Sequence, residues 1–69
     1  MPADAPLDEI RIIDAAFEDR VRDLFKVFAE AVYTGEPERE AAARFRRGLV
    51  SAKRSHAMAI AAVKEVEGQ

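Results

Sequence analysis

The segment "TGEP", residues 34–37, divides the sequence into two long stretches and decides the fold. Gly35 can adopt the left-handed conformation with which many helices end, and Pro37 suits the first position of a following helix. Neither glycine nor proline interrupts residues 7–34, and one glycine, Gly48, interrupts residues 38–66. The segment therefore predicts a sharp turn between two long helices.

The stretch before the turn carries large apolar residues at steps of 3, 4, 4, 3, 4 and 4. This spacing places them on one face of a helix. The acidic residues Asp8 and Glu9 suit the positive end of its dipole. We predict a helix over about 7–34, preceded by a flexible lead at residues 1–6. Its apolar face consists of Ile10, Ile13, Phe17, Val21, Leu24, Phe28 and Val32.

The stretch after the turn repeats its inward positions at alternating steps of 3 and 4, which is a heptad pattern. The pattern predicts a second helix over about 37–66, ending before Gly68. Gly48 lies inside this helix at a cost of about 1 kcal/mol relative to alanine, so we interpret it as a point of close helix approach. The inward residues are Ala42, Phe45, Leu49, Ala52, His56, Ala59, Val63 and Val66.

A turn this short makes neighbouring helices antiparallel. We therefore predict one all-α domain over residues 1–69, an antiparallel two-helix hairpin. Folding back at Gly35 pairs residues whose numbers add up to roughly 70. Phe28 then faces Ala42 and Phe17 faces Ala52, so large side chains lie opposite small ones, as interdigitating helices require.

One copy of the hairpin is predicted to leave apolar surface uncovered. A chain of 69 residues without cysteine has few ways to stabilise itself except by association. The run "AMAIAAV", residues 57–63, is apolar on every side of its helix, which is typical of a buried helix. We predict a homodimer, or a higher even oligomer, that forms a four-helix bundle with its interface near the termini. The alternative is an alanine-rich helix that tolerates exposure. The predicted oligomer or partner interface consists of Ile12, Phe17, Ala57, Met58, Ile60 and Val63.

His56, the single histidine, lies on the inward seam of the second helix. The predicted register places it opposite Asp14, and a buried imidazole needs a hydrogen-bond partner. We therefore predict a buried Asp14–His56 pair that fixes register or oligomeric state. The alternatives are a partly exposed His56 without a role, a pH-dependent switch, or a metal site formed by symmetry-related pairs in an oligomer. No metal and no cofactor is predicted, because the residue three before His56 is Lys53 and the Glu-x-x-His motif of diiron bundles is absent.

The segment 39–54 contains six basic residues and one acidic residue, Glu40. A helical wheel distributes the basic residues over two sides, and the acidic Glu18, Asp19 and Asp23 of the first helix should neutralise part of their charge. This favours a solvated, salt-bridged surface. The alternative is a patch that binds the phosphates of RNA or DNA. Its contacts would be Arg44, Arg46, Arg47, Lys53 and Arg54.

The sequence contains no residue set that indicates catalysis, so we predict that the protein is not an enzyme. There is no glycine-rich phosphate loop and no cysteine nucleophile. A net charge of −2 gives no general reason to expect nucleic acid or a membrane as partner. We expect a cytoplasmic, non-enzymatic helical hairpin that associates with itself and serves as a protein–protein interaction or regulatory module. A nucleic-acid-binding regulator that uses the segment 39–54 is the alternative.

Overall fold

A computed structural model describes the backbone of residues 5–68 and the side chains of residues 8–68. It consists of two helices that pack against each other, α1 (Ala5–Tyr33) and α2 (Glu38–Glu67). The prediction of an all-helical hairpin is confirmed. The helix bounds differ from the predicted 7–34 and 37–66 by one or two residues. Ala5 and Pro6 are helical, and residues 1–4 of the predicted flexible lead lie outside the described residues.

The turn is built around Gly35, which has a φ angle of 92°. The backbone N–H of Glu36 donates to the carbonyl of Ala31 at 3.0 Å, and the N–H of Gly35 donates to Val32 at 3.1 Å. These bonds satisfy carbonyls that the end of α1 leaves without partners inside the helix. Pro37 is extended and precedes the helix, rather than being its first residue as predicted. Its carbonyl accepts the first hydrogen bonds of α2.

The two helices bury few side chains between them. Among the described side chains only Ala31, Ala41 and Ala52 are buried, and no large side chain is fully enclosed. Phe28 stacks on Phe45 with ring centroids 5.2 Å apart. Two large side chains therefore share a layer where a large residue was predicted to face a small one.

Two residues predicted to face inward are exposed instead, namely Val32 and Val66. The apolar steps from Ile10 to Val32 average more than the 3.6 residues of a helical turn, so the stripe rotates by about 40° along α1. Ala31 consequently takes the buried position next to α2. Val66 lies in the last turn of α2, opposite the beginning of α1, where little covers it.

Gly48 lies against Leu24 of α1. A Cβ atom at this position would lie 2.5 Å from Cδ2 of Leu24, so a larger residue would displace that side chain. The Cα atoms extend over 51 × 20 × 6 Å. The hairpin is therefore long and flat, and each of its two broad faces is open.

Gly35→Ala is expected to destabilise the hairpin by about 1 kcal/mol, because a Cβ atom is strained in the left-handed region. The matched control is Gly68→Ala at the end of α2, where φ is −72° and an added Cβ meets only ordinary contacts. This control should change the free energy of unfolding by less than about 0.5 kcal/mol. Urea unfolding followed by circular dichroism at one protein concentration measures both. Equal effects would contradict the conformation of the turn.

Candidate functional site

Asp14 and His56 lie within hydrogen-bond distance across the two helices. Nε2 of His56 is 2.7 Å from Oδ1 of Asp14, and the ring of Phe17 lies beside the imidazole with centroids 4.8 Å apart. The prediction that this pair is buried was wrong, since the two side chains keep 29% (His56) and 54% (Asp14) of their exposure. The physical reason is that the pair lies at the edge of a two-helix contact, where one side remains open to solvent.

The pair joins one residue of α1 to one residue of α2 and involves no third ligand. Among residues 8–68 no cluster of three or more histidine, aspartate or glutamate side chains is placed to hold a metal ion. Among the described ion pairs, the Asp14–His56 contact is the one that joins α1 to α2.

One broad face of the hairpin carries a groove that follows almost its whole length. Four depressions lie along it, and neighbouring depressions share Ile13, Arg20 or Val27, so they form one continuous surface. We call this surface the groove and define it by its exposed residues on both helices and the turn. They are Glu9, Ile12, Ala16, Arg20, Asp23, Lys26, Val27 and Glu30 of α1, Thr34 and Glu36 of the turn, and Arg44, Ser51, Ser55, Ala62 and Val66 of α2.

The groove combines large apolar side chains with small ones. Ile12, Val27 and Val66 stand exposed along it. Ala16, Ser51 and Ser55 line its middle and leave room for another helix to approach closely. Arg20, Asp23 and Arg44 add charged side chains to this surface.

The residues predicted to form the interface do not lie on one common surface. Ile12 lies in the groove, whereas Phe17, Ile60 and Val63 are half-buried and Ala57 is exposed outside the groove. The exposed apolar surface is also not concentrated near the termini. Of the eight large apolar side chains exposed among residues 8–68, five lie between residues 25 and 50. They are Phe25, Val27, Val32, Tyr33 and Val50; the other three are Ile12, Met58 and Val66.

Three arginines of the segment 39–54 share one surface, although the helical wheel had distributed them over two sides. Arg46, Arg47 and Arg54 line a shallow depression together with Ala43, Ser51 and Val50. The helical wheel placed these arginines on different sides because it does not represent how far a long arginine side chain reaches around its helix. We call Arg46, Arg47, Val50 and Arg54 the basic surface.

The predicted neutralisation of these arginines by acidic residues of α1 is not seen. Asp19 pairs with Arg22 of its own helix at 2.9 Å, and the described ion pairs do not include Glu18 or Asp23. Arg44 pairs with Glu36 at 2.6 Å. Lys53, also predicted as a nucleic-acid contact, is exposed and lies outside the depression.

Comparisons of the chain with protein-family models, with curated proteins and with solved structures found no match. Within residues 5–68, neither helix has the combination of length and apolar character that crossing a membrane requires. The described residues form three surface features, namely the groove, the Asp14–His56 pair and the basic surface.

The Asp14–His56 pair should contribute little to stability in solution, because solvent reaches both side chains. A double-mutant cycle with Asp14→Ala and His56→Ala is expected to give a coupling free energy of about 0.5 kcal/mol at pH 7. His56→Leu should retain the helical circular dichroism and change stability or oligomeric state. A measured coupling above about 2 kcal/mol would show that solvent does not reach the pair.

Proposed function

We propose that this chain is a non-enzymatic interaction module, a helical hairpin that associates with a second copy to form a four-helix bundle and presents its outward faces to a protein partner. The observation that supports this proposal is the groove. It follows the hairpin nearly from end to end, and its lining combines exposed apolar and small side chains with charged ones.

A second hairpin fits the groove in length and in chemistry. Helix α1 has 29 residues and is therefore about 43 Å long at 1.5 Å per residue. Ile12 and Val27 lie about 22 Å apart along α1, so a partner helix of 29 residues is long enough to cover both. Burial of a large aliphatic side chain stabilises by about 1.5–3 kcal/mol, so covering the exposed residues of two grooves favours association.

The charges of the two helices favour one arrangement of the pair of hairpins. Helix α1 has seven acidic and four basic residues, a net charge of −3, and α2 has seven basic and four acidic residues, a net charge of +3. Complementary charges orient two associating surfaces. We therefore place α1 of one copy beside α2 of the other, with both turns at the same end of the bundle.

In this arrangement, groove residues at the same level along the bundle axis lie next to each other across the two copies. Asp23 and Arg44 line the same depression within one hairpin, where Arg44 pairs with Glu36 and not with Asp23. In the proposed dimer Asp23 of each copy lies next to Arg44 of the other. Ile12 likewise lies next to Val66 of the other copy, because these two residues line one depression.

Ile12→Glu is expected to weaken self-association at least tenfold, because it places an unpaired charge in an apolar contact. Met58→Glu is the matched control. The two side chains are 66% and 65% exposed in the hairpin, but Met58 lies outside the groove. Sedimentation equilibrium measures the dissociation constant of each variant. The proposal fails if both substitutions weaken association equally, or if Met58→Glu alone does so.

Mixing two charge variants tests the placement of α1 beside the partner's α2. Asp23→Arg alone and Arg44→Glu alone should each associate more weakly than the native chain, because like charges meet at both contacts. An equimolar mixture should form a heterodimer. The two substituted side chains then meet with opposite charges at one contact, while the native Asp23 meets the native Arg44 at the other. Native mass spectrometry distinguishes the species if one variant is isotopically labelled. Weak association of the mixture as well would contradict this placement.

A further inference from the structure

Most of the basic surface lies on a stripe along α2 that differs from the stripe facing α1. Its members on that stripe are Arg47, Val50 and Arg54. Ala43, Arg47, Val50 and Arg54 recur at steps of 4, 3 and 4, which places them on one side of the helix. The buried Ala52 lies outside this stripe, next to α1. Ser51 lines both the groove and this depression, so a second hairpin in the groove would lie beside the basic surface.

The charge of the basic surface is not compensated within the described part of the chain. Arg46, Arg47 and Arg54 take part in none of the ion pairs found among residues 8–68. Between residues 41 and 64 the sequence has no acidic residue at all. Exposed Val50 lies between Arg47 and Arg54, so the surface has an apolar centre with guanidinium groups on both sides.

We propose that the basic surface is a docking site for an acidic helical segment of a partner protein. Arg47 and Arg54 are seven residues apart, two turns of the helix and about 10.5 Å. A partner helix with carboxylates seven residues apart would match both, and each guanidinium can hold a carboxylate through two parallel hydrogen bonds. Val50 would receive an apolar side chain of that segment. This inference rests on the proposed function as an interaction module and names the chemistry of its partner.

The composition of the surface favours a protein segment over RNA or DNA. Its apolar centre, Val50 with Ala43, matches the apolar core and charged rim of protein interfaces. None of the residues that line this depression is aromatic, so it provides no platform on which bases could stack. Three guanidinium groups along about 12 Å of helix also contact few phosphates, whereas binding to nucleic acid strengthens with every phosphate neutralised.

The test uses the full-length chain and three fluorescent probes in anisotropy titrations at low salt. The first is a 20-residue helical peptide with two glutamates seven residues apart and a leucine between them. The second carries glutamines at the two positions, and the third is a 20-nucleotide single-stranded RNA. The variants are Arg47→Glu with Arg54→Glu, and Val50→Ser. Arg11→Glu with Arg22→Glu, on α1, is the control with the same change in net charge.

We expect the native chain to bind the glutamate peptide and to bind the glutamine peptide at least tenfold more weakly. The double substitution at Arg47 and Arg54 should raise the peptide dissociation constant at least tenfold, and Val50→Ser several-fold. The control on α1 should leave it within twofold. The inference is overturned if the glutamate peptide does not bind, if the α1 control weakens it equally, or if Val50→Ser has no effect. It is also overturned if RNA binds more tightly than the peptide and loses binding on substitution of the same arginines.

Sedimentation of the same samples separates this inference from the proposed function. A dimer that does not bind the glutamate peptide overturns the docking site and leaves self-association standing. A monomer that binds the peptide through Arg47, Arg54 and Val50 overturns self-association and supports the docking site.

Discussion

Each helix of this hairpin has a single neighbour, and that constraint limits what the chain can bury. A helix enclosed by one partner keeps most of its circumference in solvent, and here only three alanines are buried among the described side chains. The phenylalanine pair Phe28 and Phe45 is stacked but still half-exposed. Small domains bury a small share of their surface, and this is the physical reason for proposing that a second copy covers part of the hairpin.

The same constraint separates the surfaces that the hairpin offers. One broad face carries the groove, the Asp14–His56 contact lies at an edge of the seam, and the basic surface follows another side of α2. The groove and the depression of the basic surface meet at Ser51, so the proposed second hairpin would lie beside Arg47, Val50 and Arg54.

Sequence periodicity was enough to predict the hairpin, because helices and a glycine turn are decided by local steric rules. It also placed Asp14 opposite His56, since the register follows from the length of the turn. Exposure was harder to predict. Val32 continues the apolar spacing of α1 but turns away from α2, a consequence of rotation that accumulates along the helix. The shared position of Arg46 and Arg47 depends on where long side chains reach, which a helical wheel does not represent.

Sedimentation equilibrium of the native chain at micromolar concentration, with thermal unfolding at several concentrations, tests whether the hairpin associates with a second copy. The expected result is a species of twice the 7.7 kDa chain mass, with an unfolding temperature that rises with protein concentration because folding and association are coupled. A stable, folded monomer of 7.7 kDa whose unfolding temperature does not depend on concentration would contradict it.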